Sequence, residues 1–172
     1  MGHTSNPRIA ALAAATVLAG LAANAQAQSC HPLEGAWTLN GAASELGPPL
    51  SFDPYYHVDA VTLTLQTHDQ RIVEAWAYSG AHLNEHWTYA FVPDGRTFLT
   101  GTHSLVYSLP TSLSAAWQNC TLVMQARSSL FGRPITTQDV YVFSADGSAL
   151  TILQQGGSPM LHIERKLVFQ RR

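Results

Sequence analysis

Apolar and polar positions alternate in short bursts along most of this chain. Val61, Leu63 and Leu65 are interleaved with Thr62, Thr64 and Gln66, and Trp87, Tyr89 and Phe91 with His86, Thr88 and Ala90. A period of two marks a strand with one buried face. The pattern predicts strands at Gly35–Leu39, around Val61–Gln66, and at Arg71–Tyr78, Glu85–Val92 and Arg96–Thr100. Further strands are predicted at Thr121–Arg127, Ile135–Ser144, Ala149–Gln154 and Leu161–Arg171. Turn chemistry separates them. His68-Asp69-Gln70 and Ala145-Asp146-Gly147 read as turns, and Pro93-Asp94-Gly95 as a hairpin turn. Phe131–Pro134 interrupts the pattern, and Gly156–Pro159 reads as a connector. No segment carries a capped helical repeat.

Two stretches resist the alternation. Gly41–Asp59 is irregular and holds Pro48, Pro49 and Pro54, which suits a small helix or a lid over one end. Within Ser104–Ser112, Leu105-Val106-Tyr107 suits a strand broken at Pro110.

Eight to ten short strands joined by meander turns must dispose of their edges. Closing an antiparallel up-and-down β-barrel does so by pairing the first strand with the last. The expected fold is therefore all-β, with a two-sheet sandwich as the alternative.

The first 27 residues differ from the rest. Arg8 precedes an Ala/Leu/Val-rich run over Ile9–Ala23, which ends at Ala25-Gln26-Ala27. This is the build of a secretory signal peptide, and the apolar run is shorter than the ~20 residues that span a bilayer. Residues 1–27 are thus expected to be a signal peptide and residues 28–172 one barrel domain. The mature chain would carry no membrane span and would be periplasmic or extracellular. In that oxidising setting the two cysteines, Cys30 and Cys120, suggest a disulfide. It would close a loop of about 90 residues, worth roughly 4–5 kcal/mol in the chain-entropy description. The rival reading is a lipid-anchored Cys30; Gln28 stands where such signals carry a small or apolar residue.

The formal net charge is −2, and no clustered basic excess suggests a nucleic-acid partner.

The residues also carry a resemblance. Gly35-Ala36-Trp37 looks like the G-x-W signature opening the first strand of lipocalin-like (calycin-type) barrels. In that group an arginine near the end of the last strand packs over the tryptophan and seals one barrel end. Arg171 in Phe169-Gln170-Arg171 is placed for that role and shares a strand face with Leu167 and Phe169. More broadly, Gly35–Asn40, Asp94-Gly95, Ser144–Thr151 and Arg165–Arg171 resemble small secreted bacterial proteins described as lipocalin-like and of uncharacterised function. The resemblance implies a barrel and apolar-ligand binding, with no catalytic residues to carry over.

Candidate chemistry is sparse. His82-Leu83-Asn84-Glu85-His86 spells H-x-x-E-H, a zinc-peptidase pattern that requires a helix. A strand begins at His86-Trp87, so no metal site is expected there. His57, His68, His82, His86 and His103 fall within 47 residues, mostly at predicted turns and without a recurring ligand spacing. No nucleophile elbow or phosphate loop is present, and no cofactor is expected.

Arg165 shares parity with Leu161, Ile163 and Leu167, so it should face inward. A buried guanidinium needs a partner. Glu74, Asp139 or a bound anionic head would supply one. The facing of Glu74 and Asp139 is undetermined, because their strands are apolar on both faces.

The leading expectation is that the barrel binds a small apolar or amphipathic molecule without catalysis. Trp87, Tyr89, Phe91 and Arg165 are the candidate ligand-binding residues. The alternatives are an interaction module with a filled barrel, and a barrel enzyme of the isomerase or cyclase kind using an inward carboxylate or histidine. An apolar-lined cavity of at least ~300 Å³ separates the first from the second.

Overall fold

A computed structural model describes residues 34–48, 54–103, 108–130, 132–159 and 161–172. The expected signal peptide and Cys30 lie outside the described residues, as does Leu105-Val106-Tyr107.

Ten antiparallel strands follow one another in a meander. They are β1 (Gly35–Leu39), β2 (Ala60–His68), β3 (Arg71–Gly80), β4 (Leu83–Phe91) and β5 (Asp94–His103). The second half holds β6 (Ser108–Gln118), β7 (Thr121–Leu130), β8 (Arg133–Phe143), β9 (Ala149–Ser158) and β10 (Leu161–Arg171). The order across the sheet is β4-β3-β2-β1-β10-β9-β8-β7-β6-β5. The first strand pairs with the last, Trp37 opposite Arg171 and Leu39 opposite Phe169. The barrel is nearly closed; β4 and β5 follow each other without sharing a ladder. A sandwich of two separate sheets is excluded by this single continuous sheet.

Alternation along each strand places the core. Val61, Leu63 and Leu65 of β2, Leu150 and Ile152 of β9, and Leu167 and Phe169 of β10 are all buried. Around Trp37 these residues fill one end of the barrel. The Trp37 ring is 1% exposed, lies 6.2 Å from Phe143, and is covered by the Arg171 guanidinium at 5.7 Å from its centroid. Arg171 also donates to the Glu34 carbonyl at 2.7 Å. Trp37→Ala should cost about 3–5 kcal/mol by removing the largest side chain of this plug; chemical denaturation against the natural chain measures it.

Between β1 and β2 the described part of the irregular segment forms two 3₁₀ turns, Gly41–Ala43 and Pro54–Tyr56, and one isolated antiparallel bridge from Glu45 to Lys166 of β10. Asn40 caps the first by accepting from the Ala43 N–H. The second sets Tyr55 at the barrel end opposite the Trp37 plug, edge-on to Tyr78. No helix of the described residues is long and apolar enough to cross a membrane.

Three expectations need correction. Pro93-Asp94-Gly95 is not the turn of a paired hairpin: Asp94 already opens β5, and Gly95, at φ +80°, sits where the β5–β6 register shifts between Asp94 and Thr97. Gly156-Gly157-Ser158 is not a connector but the end of β9: all three residues pair with β10, and Gly156 and Gly157 pair with β8 as well. Glycine is required at 156 and 157 because backbone of β8 and β10, respectively, approaches too closely for a Cβ. Pro110 does not break β6. It lies beyond Ser112, where the β7 ladder ends, so β6 is paired there on one side only.

Candidate functional site

Above the apolar plug the barrel is hollow. A cavity of about 320 Å³ lies between the plug and Tyr55. Its apolar wall includes Trp76, Trp87, Leu113, Met124, Ile152 and Leu167. Period-two geometry accounts for the set, because each strand contributes every second residue. The polar members are Glu74, Asp139, Gln154, Arg165, Ser128 and Thr137, with Tyr55, Tyr78, Tyr89 and Tyr141.

Glu74 is the buried charge-bearing group of this interior, 2% exposed on β3. Its Oε1 accepts from the Tyr141 hydroxyl at 2.8 Å and from the Trp76 indole N–H. Its Oε2 is buried with no hydrogen-bond partner among the described residues, as is Trp87 Nε1. Burial pushes the Glu74 carboxyl up to about 7, against the two hydrogen bonds that favour the ionised form; the Asp139 charge raises it further.

Asp139, partly buried on β8, accepts from Gln154 Nε2 at 3.0 Å. Desolvation raises its carboxyl to about 6, while the Gln154 hydrogen bond and the Arg165 charge hold it down. Arg165 reaches Gln154 Oε1 at 3.4 Å and lies over the Tyr55 ring, 5.3 Å from its centroid. Asp139, rather than Glu74, is thus the carboxylate that Arg165 steadies. Burial also raises the Tyr78, Tyr89 and Tyr141 hydroxyls, so these stay protonated donors.

Of the residues singled out by sequence, Trp87, Tyr89 and Arg165 line the cavity. Phe91 does not. At the β4 end it is 2% exposed and stacks on Phe98, with ring centroids 6.0 Å apart and an interplanar angle of 10°. Glu74 and Asp139 both face inward. Trp76, Tyr141 and Gln154 were missed; Gln154 shares parity with Leu150 and Ile152 on β9, which was an available signal, whereas β3 and β8 are apolar on both faces and gave none for Trp76 or Tyr141. Cys120 sits just past β6, at the turn into β7. His82 lies in the β3–β4 turn and His86 is exposed on β4, so the H-x-x-E-H run forms no helix.

A larger hollow of about 590 Å³ lies between Glu45–Pro48 and the wall of β8–β10. The exposed side chains of Glu45, His162, Glu164 and Lys166 border it, leaving it open to solvent. The interior cavity, with its buried polar groups and apolar wall, is the stronger site.

Fold and cavity together define a ten-stranded, calycin-like barrel with a hollow, partly polar interior. Solved structures share this architecture. A fatty acid transporter termed REP1-NXSQ superposes with a TM-score of 0.58 at 9% identity, covering 81% of this chain and 96% of its own. A secretory abundant heat soluble protein from Ramazzottius varieornatus gives 0.58 at 15% identity, covering 81% and 94%. A Schistosoma mansoni fatty acid binding protein in complex with arachidonic acid gives 0.56 at 14% identity, covering 84% and 98%. No family model and no curated protein sequence matches the chain.

Proposed function

We propose that this chain is a binding protein that holds a small amphipathic molecule inside its barrel. The observation that carries the reading is the interior cavity of about 320 Å³, lined by apolar side chains around a set of polar groups. Burying a hydrocarbon there would contribute ~25 cal/mol per Å² of apolar surface removed from water. The ligands named for two barrels of the same shape, a fatty acid and arachidonic acid, support the reading. The cavity argues against a filled barrel. Trp87, Tyr89 and Arg165 are the proposed ligand contacts, with Glu74 and Asp139 beside them.

A second reading is acid–base catalysis on the bound molecule. Two inward carboxyls raised to about 7 and about 6 are suited to taking or giving a proton near neutral pH. We further propose export with removal of residues 1–27, and a Cys30–Cys120 bridge in the mature chain.

Native mass spectrometry of the protein isolated from its own host tests all of these together. The expected species starts at Gln28, is two mass units light from the bridge, and carries a small apolar or amphipathic adduct. An adduct that stays unchanged on incubation supports binding; one that converts supports catalysis. A chain free of adduct under gentle ionisation opposes both.

A further inference from the structure

Glu74 Oε2 and Trp87 Nε1 are the two buried polar atoms of the cavity wall without a hydrogen-bond partner among the described residues. They come from adjacent strands. Glu74 stands opposite Tyr89, and Trp87 opposite Trp76, so the two are diagonal neighbours on the inward face of β3 and β4. Glu74 cannot turn its orphan oxygen to an internal donor without giving up others, because Oε1 already receives Trp76 and Tyr141. An unmet buried polar atom bears the full loss of its hydration. The pair is also complementary. An indole N–H only donates, whereas a carboxyl oxygen accepts when ionised and donates when protonated.

Three headgroups can be compared at this wall. A carboxylate would accept from Trp87 but set a further negative charge against Glu74, close to Asp139, while Arg165 is already engaged near Asp139. An alkylammonium would donate to Glu74 and leave the Trp87 N–H unmet. A hydroxyl donates and accepts, so it answers both atoms, and it answers Glu74 in either protonation state. We propose that the barrel selects a neutral amphiphile whose polar end is a hydroxyl, donating to Glu74 Oε2 and accepting from Trp87 Nε1, with its hydrocarbon among Leu113, Met124 and Ile152. This rests on the ligand-binding reading above and names the headgroup it takes.

The test uses the chain with its barrel intact, at a pH of about 8, loaded with the neutral fluorophore N-phenylnaphthylamine and displaced by decanol or by decanoate. Decanol should displace the fluorophore at about tenfold lower concentration than decanoate. In Glu74→Gln the atom facing the cavity becomes an N–H donor while the acceptor for Trp76 and Tyr141 is kept. The decanol preference should then fall to about one or reverse. Trp87→Phe should weaken decanol about threefold, and it decides the matter if Glu74→Gln does not fold. Decanoate binding the natural chain as tightly as decanol overturns the inference. So does an unchanged preference in Glu74→Gln, or a bound fluorophore that neither compound displaces. Failure of the fluorophore to bind at all instead removes the ligand-binding reading, and the headgroup with it.

Discussion

Between about pH 5 and about pH 8, the stability of a Glu74→Gln variant relative to the natural chain should rise by roughly 2–3 kcal/mol. In a protein of this size that corresponds to on the order of 5–10 °C in melting temperature. The sign follows from the direction of the shift. Folding raises the Glu74 carboxyl from 4.5 to about 7, chiefly because burial disfavours the charge. Across that window the folded chain holds the proton more tightly than the unfolded chain. Stability is therefore greatest below the window and declines as pH climbs through it. Glutamine keeps an acceptor for Trp76 and Tyr141 but has no charge to desolvate, so its profile loses this decline. Asp139, raised from 3.8 to about 6, leaves a smaller slope of the same sign in both proteins. Asp146 acts in the opposite direction, but it is lowered from 3.8 to about 2 and so titrates below the measured range. Thermal melts at matched ionic strength across the range supply the comparison. Parallel curves for the two proteins would show that ionising Glu74 carries no folding cost.

Gly157→Ala should abolish the folded state, or destabilise it by more than about 4 kcal/mol. Gly157 has φ +128°, a conformation side chains rarely adopt, and an added Cβ would fall 1.8 Å from the Leu161 carbonyl oxygen. That oxygen belongs to the paired backbone of β10 and cannot move aside without unzipping the β9–β10 ladder. Gly156 is equally confined on the other side, with its Cβ position 2.1 Å from the Thr136 carbonyl oxygen. Gly41→Ala is the control. Nothing lies within 4 Å of its Cβ position, and its effect should stay within about 0.5 kcal/mol. Cooperative unfolding followed by circular dichroism reads both. A normal melt for Gly157→Ala would mean that the β9–β10 pairing is looser than described.

Nearly every strand could be read from sequence, but its facing could be read only where one face is wet. β1, β2 and β10 alternate cleanly, and the Trp37–Arg171 juxtaposition was implied by the resemblance to lipocalin-like barrels. What escaped the reading has local causes. Glycine in pairs usually marks a turn, yet Gly156 and Gly157 allow β8 and β10 to crowd a strand, a feature visible only once both neighbours are placed. Asp94-Gly95 carries hairpin chemistry, but the chain spends it on a register shift in β5. The facing of Glu74 and Asp139 could not be read because Val73, Ala75, Val140 and Val142 make the outward faces of β3 and β8 nearly as apolar as the inward ones. Phe91 shares parity with Trp87 and Tyr89 but lies at the strand's end. Alternation gives the face of a residue; it does not give its height along the barrel axis.

The pairing of β1 with β10 brings the two ends of the described chain side by side: the Arg172 N–H donates to the Ala36 carbonyl at 2.8 Å. The missing ladder falls at the other extreme of the sheet, between Phe91 and Asp94. Were residue 172 run on into residue 34 and the backbone cut between Phe91 and Asp94, every strand would hydrogen-bond only to its immediate predecessor and successor. The natural chain is thus a circular permutation of the simplest possible ribbon. Among the described strands, its β1–β10 zipper is the ladder that must wait for nearly the whole polypeptide to be in place.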